Sequence, residues 1–121
     1  MNDLRQLQAH PHLFRRSLLI DCDGQPKRLA EVCDLWQTED FEALDPAWRT
    51  VVGQPRNGDP AKMRAWIERP RGHSKTQDVM VQVVWALFAS RRQISGVVCA
   101  VDRDQAKLCR DAADRLVRLN P

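Results

Sequence analysis

Apolar and polar positions change their period along the chain and divide it into three stretches: 1–53, a polar loop over 54–61, and 62–121. In the first, Phe14 to Ile20 reads as an apolar-leaning strand, Asp21-Cys22-Asp23-Gly24 carries turn chemistry, and Gln25 to Leu29 returns, which predicts a hairpin. Val32, Leu35, Trp36 and Phe41 then recur at an irregular helical spacing through Leu44. Asp45-Pro46 reads as an N-cap with proline at the first helical position, opening a short helix through Val52. Gly53 to Pro60, rich in glycine, proline and polar residues, is a loop.

Beyond the loop the pattern becomes strand, glycine turn, helix, strand, helix. Lys62 to Glu68 is the first strand candidate. Lys75 to Ala89 is almost continuously apolar after Val79, and its length favours a helix packed on several sides. Ile94 to Val101 is short, β-branched and bounded by polar residues, as a buried parallel strand is. Asp102 is placed to cap the final helix, with Gln105 as its capping-box partner, and Cys109, Ala112, Ala113, Leu116 and Val117 form its apolar face. This order predicts an α/β protein containing the start of a parallel sheet.

Composition changes the picture little. The chain has 121 residues, 43% hydrophobic and 29% charged, enough for one globular domain. No run is long and apolar enough to span a bilayer, which takes about 20 residues, and Met1 to Arg5 lacks the apolar core of a signal peptide. A cytoplasmic protein with no membrane partner is expected. The net charge of +3 does not argue for a nucleic-acid partner, although Arg64, Arg69, Arg71, Lys75, Arg91 and Arg92 cluster. Cys22, Cys33, Cys99 and Cys109 form no close pair, so neither a zinc site nor a redox motif is expected. Trp48, Trp66 and Trp85 are expected to pack.

The chemistry concentrates in residues 68–76, Glu-Arg-Pro-Arg-Gly-His-Ser-Lys-Thr, between the first strand candidate and a helix. A phosphate-binding loop needs inward backbone N–H groups, a helix N-terminus, a lysine for the β/γ-phosphates and a hydroxyl for Mg²⁺. Lys75 and Thr76 match the last two. Arg69 and Ser74 stand where the standard pattern has glycine, and a Cβ at Ser74 restricts backbone approach to phosphate. The bland alternative is an ordinary exposed first helical turn preceded by solvated cations.

This loop resembles the variant Walker A loop of phage terminase large subunits, the DNA-packaging motor ATPases, which keep an arginine four residues before the lysine, as Arg71 is here. The likeness extends upstream to Val32 to Trp48, where Trp36-Gln37 is similar to the family's adenine-contacting segment, and downstream over 96–121. The resemblance implies ATP and Mg²⁺ as cofactors, held by Gln37, Gly72, His73, Ser74, Lys75 and Thr76. Lys75 would meet the β/γ-phosphates, Thr76 the Mg²⁺ through its hydroxyl, Gln37 the adenine edge, and Arg71 the charge on the transferring phosphoryl group. It implies double-stranded DNA, the small terminase subunit and the portal as partners, in a host-cell cytoplasm.

The family's later Asp-Glu strand, which completes the Mg²⁺ site and orients water, has no counterpart in these residues. The expectation is therefore an N-terminal fragment of the ATPase domain, inactive by itself, partnered by the remainder of a split subunit if the gene is divided. The alternatives are a non-catalytic nucleotide-binding or interaction module and, further off, a small P-loop kinase using Asp102, a residue that helix capping already explains.

Overall fold

The computed structural model describes residues 4–22, 24–54, 64–69, 75–99 and 102–120. These form a mixed α/β arrangement that is mostly helical, with one two-stranded antiparallel sheet. In chain order they are α1 (Leu4–Ala9), α2 (Pro11–Ser17), β1 (Leu19–Cys22), β2 (Gln25–Arg28), α3 (Leu29–Val32), α4 (Leu35–Val51), α5 (Lys75–Ala89) and α6 (Arg103–Leu119).

The hairpin is present but shorter than its apolar pattern suggested. Register runs from Leu19 opposite Arg28 to Cys22 opposite Gln25, and Gly24, at a φ of 85°, takes the left-handed conformation the turn needs. Its backbone N–H donates to the Asp21 side chain at 2.9 Å. Phe14 to Ser17, expected as strand, belongs instead to α2, where Pro11 supplies the pre-set φ of a first turn. Strand β2 is exposed throughout and carries Pro26, tolerable on an edge that needs no further ladder bond.

The expected helix start at Asp45-Pro46 is wrong. Helix α4 runs unbroken from Leu35 to Val51 with Pro46 inside it. Its start is Asp34, in a reciprocal capping box: the Asp34 side chain accepts from the backbone of Gln37, and the Gln37 side chain accepts from the Asp34 N–H at 2.8 Å. Asp45 is occupied elsewhere, accepting two hydrogen bonds from the Arg15 guanidinium at 2.8 and 2.9 Å, and Arg15 lies over the Phe41 ring at 4.7 Å. That bidentate contact ties α2 to α4, which outweighs the local capping preference.

Residues on both sides of the 54–61 loop share one core. Leu18, Ile20, Leu29 and Phe41 from the first stretch pack with Met80, Val81 and Leu116 from the second. A second cluster joins Val52 to Trp85, Ala86 and Ala89. Helix α5 is the central element, buried on several sides as its composition foretold, with Val81 and Trp85 almost wholly enclosed. Trp85 also donates from Nε1 to the Leu7 carbonyl at 3.1 Å, tying α1 to the core. Helix α6 packs on α5 through Cys109, Ala112, Ala113 and Leu116, and Asp102 caps it as expected, accepting from the Gln105 N–H at 2.8 Å. Val117, assigned to that face, is exposed. At its far end Asn120 accepts from the Leu19 N–H at 2.7 Å and donates to the Leu19 carbonyl at 2.8 Å, acting as a one-residue strand partner for β1.

The parallel sheet is not present among the described residues. Residues 64–69 and 94–99 have no regular structure, and the parts of the two strand candidates at 62–63 and 100–101 lie outside the description. Trp66, expected to pack, is 88% exposed, and Val97 and Val98 face solvent. The residues chosen as strands have β-forming side chains, but no neighbouring strand offers them a ladder. No helix among the described residues is long and apolar enough to cross a membrane.

Trp85 anchors the core cluster that holds α1 and the end of α4, so Trp85→Ala should cost about 3–5 kcal/mol. Urea unfolding of the two proteins measures this, and a loss below about 1 kcal/mol would show that the site collapses around the missing ring.

Candidate functional site

Helix α5 begins at Lys75, immediately after the 70–74 segment. Its first-turn N–H groups have no intrahelical partners, and Lys75 and Thr76 present exposed side chains beside them. Two of the residues assigned to phosphate and metal are therefore open to a ligand. Arg71, Gly72, His73 and Ser74 lie outside the described residues.

Behind this helix start is a buried polar cluster. Arg69, immediately before the loop, donates one guanidinium N–H to Asp78 on α5 and another to Asp40 on α4, the latter at 2.8 Å. The Arg69 side chain is 6% exposed and that of Asp78 4%, while Asp40 is 45% exposed. The guanidinium also lies over the Trp36 ring, 4.7 Å from its centroid. Gln37 donates from Nε2 to both Asp78 oxygens, at 3.0 and 3.3 Å. The ring and two carboxylates of α4 and α5 thus converge on Arg69, with Gln37 behind Asp78.

The charges do not balance locally. One guanidinium faces two carboxylates, and the carboxylate with less access to water is destabilised more. Burial raises the Asp78 pKa above its ordinary 3.8, and the hydrogen bonds from Gln37 and Arg69 offset this only in part. Burial by itself would lower the Arg69 pKa, but its bonds to Asp40 and Asp78 carry it above the ordinary value. The two shifts are compatible. Arg69 stays charged against Asp40 whether or not Asp78 holds a proton.

Gln82, one turn beyond Asp78, is 4% exposed, and its Nε2 has no hydrogen-bond partner among the described residues. It borders a void of about 10 Å³ shared with Lys75, Asp78 and Arg69, space for one water at most. No ligand could lodge inside the cluster; a ligand could meet only its outer, Lys75 side.

Gln37 is where the adenine assignment meets resistance. Its side chain is committed at both ends, Oε1 to the cap of α4 and Nε2 to Asp78, and the residue is 6% exposed. Of the residues assigned to phosphate and metal, only Lys75 and Thr76 are described, both exposed, while Gln37 offers a base no free amide. Among the described residues, no three His, Cys, Asp or Glu side chains converge as a ready-made metal site.

Reading by spacing missed Asp40, Asp78 and Gln82 and took Arg69 for a loop cation. A signal existed for three of them. Gln37, Asp40, Phe41 and Leu44 share one face of α4, and Asp78 and Gln82 stand four apart on the most apolar helix of the chain. Polar residues at helical spacing in such a helix need buried partners. Nothing local marks Arg69. Comparison with family models, with curated proteins and with solved structures finds no match to this chain, so its function has to be argued from its own residues.

The cluster has an asymmetric dependence on its members. Arg69→Ala strands two carboxylates and should cost about 3–5 kcal/mol, whereas Asp78→Asn leaves the Arg69–Asp40 pair and should cost clearly less. The fold binds the Asp78 proton more tightly than the unfolded chain does, so this group's contribution is complete below pH 3.8 and is lost as pH rises through its higher folded value. Urea midpoints over a pH series should show wild type losing stability relative to Asp78→Asn as pH climbs from the low end. A relative gain would mean that Asp78 is instead a depressed, salt-bridged carboxylate.

Proposed function

We propose that the chain carries the nucleotide-binding front of a terminase-like DNA-packaging ATPase, with residues 70–76 as its phosphate loop. One observation carries this reading. Arg69 and Asp78 clamp together the two ends of the 70–74 segment, fixing the approach of the chain to the N-terminus of α5. A backbone cradle for phosphate needs that constraint, because N–H groups must be aimed before the anion arrives. Lys75 would then hold the β/γ-phosphates and Thr76 the Mg²⁺, whose part is to neutralise charge on the transferring group. Arg71, two residues after Arg69 in the sequence, would supply the cis cation.

The parallel sheet belongs to this proposal. Segments 64–69 and 94–99 lead into and away from the loop-bearing helix and its neighbour, and the exposed Val97 and Val98 suit strands that pair only when further strands are present. Double-stranded DNA, the small subunit and the portal enter as partners with the packaging reading. A second reading is favoured by the engagement of Gln37: a phosphate-binding module without adenine readout, and without turnover.

Calorimetric titration with Mg-ATP and with magnesium tripolyphosphate tests both. Binding that weakens at least about tenfold in Lys75→Ala supports the phosphate loop. ATP favoured over tripolyphosphate in that Lys75-dependent component supports the ATPase front, and equal affinities support the module. Identical heats for wild type and Lys75→Ala would remove the phosphate loop and both readings with it.

A further inference from the structure

The opposite end of α5 carries a second feature, independent of the loop. A cleft of about 890 Å³ opens between α1, the end of α4 and the residues after α5, and among the described residues every charged side chain lining it is basic: Arg5, Arg49, Arg91 and Arg92, with His10 alongside. No carboxylate is among the described residues that line it, although the chain holds 16 acids against 19 lysines and arginines. Arginines near helix C-termini have an ordinary explanation, the neutralising of exposed carbonyls. Arg92 fits it, donating to the Val51 carbonyl at 3.1 Å and toward that of Thr50 at 3.5 Å. Gly53, at a φ of 83°, turns the chain against that guanidinium. Arg49, in the last turn of α4, and Arg91, two residues past α5, stand near helix ends too, but neither makes a hydrogen bond or ion pair with the described residues, so both guanidinium groups at the cleft are left to meet a ligand.

The floor between these cations is apolar, formed by Ala9, Val52 and Ala89. Gln8 and Gln54 stand beside it with their amide nitrogens already used, Gln8 donating to the Phe88 carbonyl at 3.0 Å and Gln54 to the Gln8 carbonyl at 2.7 Å. Their side-chain oxygens are left as acceptors. An apolar floor, two amide acceptors and two uncompensated arginines match an aromatic ring bearing an exocyclic amine and joined to phosphate. We propose that this cleft binds a nucleoside phosphate, with the base on the Ala9–Val52–Ala89 floor and the phosphate on Arg49 and Arg91. It is about 20 Å from Lys75, the length of α5, so one nucleotide cannot serve both places.

The same chemistry could come as a free nucleotide or as one unit of a single strand. Calorimetry in EDTA with ATP, sodium tripolyphosphate and a short oligodeoxycytidylate separates these. Wild type should bind ATP or the oligonucleotide more tightly than tripolyphosphate. Arg49→Gln/Arg91→Gln should weaken that binding at least about tenfold, Arg49→Lys/Arg91→Lys should retain most of it, and in a Lys75→Ala background, which removes whatever the loop contributes, the component that depends on Arg49 and Arg91 should persist. Preference for ATP identifies the free nucleotide and preference for the oligonucleotide identifies the strand; either supports the site. Removing the same charge from α6, in Arg103→Gln/Arg110→Gln, controls for general attraction. The proposal is overturned if that variant loses as much, if tripolyphosphate binds as well as ATP and the oligonucleotide, if Lys75→Ala abolishes binding, or if the glutamine variant binds like wild type.

Discussion

The Arg69 guanidinium is the contact on which the second half of the molecule depends. Residues 64–69 form no ladder and no helix, so nothing in their backbone fixes their course. Their last residue is nonetheless among the most enclosed charges in the chain, bonded to Asp40 of α4 and Asp78 of α5 and covered by Trp36. Enclosing a cation is favourable only when it is paired and its donors are satisfied. Two carboxylates meet that condition at its two terminal nitrogens and an aromatic face covers it, with Gln37 taking up remaining Asp78 capacity. The result is a loop whose entry is set by side chains rather than by a sheet.

That arrangement explains which parts of the fold could be read from sequence. Helices α5 and α6 and the cap at Asp102 follow from local pattern, because apolar spacing and capping chemistry act within a few residues. The hairpin turn at Asp21 to Gly24 was legible for the same reason. Asp45-Pro46 misled because the deciding partner, Arg15, is 30 residues away. Lys75 and Thr76, read as phosphate and Mg²⁺ ligands, stand exposed at the head of α5, while Gln37 is read for a role its two hydrogen bonds do not leave free. Asp78 and Gln82 were legible in principle as polar residues on an apolar helix. Arg69 was not, since its burial is a property of the assembled α4–α5 pair.

The strand candidates at 62–68 and 94–101 form no ladder among their described residues for a different reason. β-propensity describes a side chain's fit to a pleated, half-buried surface, and that surface exists only if a neighbouring strand is supplied. Among the described residues the only pairing is β1 with β2, and the free side of β1 is taken by the Asn120 amide. Ile94 keeps partial burial against Trp85 and its neighbours, while Val97 and Val98 gain none. Sequences with this character hold a latent strand edge, which other segments could template.

Both proposed sites use α5, and its polarity makes them different in kind. At Lys75 an anion would meet a helix N-terminus, where unpaired N–H groups and the macrodipole favour it without needing many cations. At Ala89 the same dipole opposes an anion, so arginines must first cancel the exposed carbonyls and then supply charge in excess. Arg92 does the first on α4, and Arg49 and Arg91 are left for the second. Several arginines where α4 and α5 both end, and a single lysine where α5 begins, follow the sign of the helix dipoles at the two proposed sites. The rigid, closely packed body of α5 between them also means that ligands at its two ends can communicate only by moving the helix as a unit against α4 and α6.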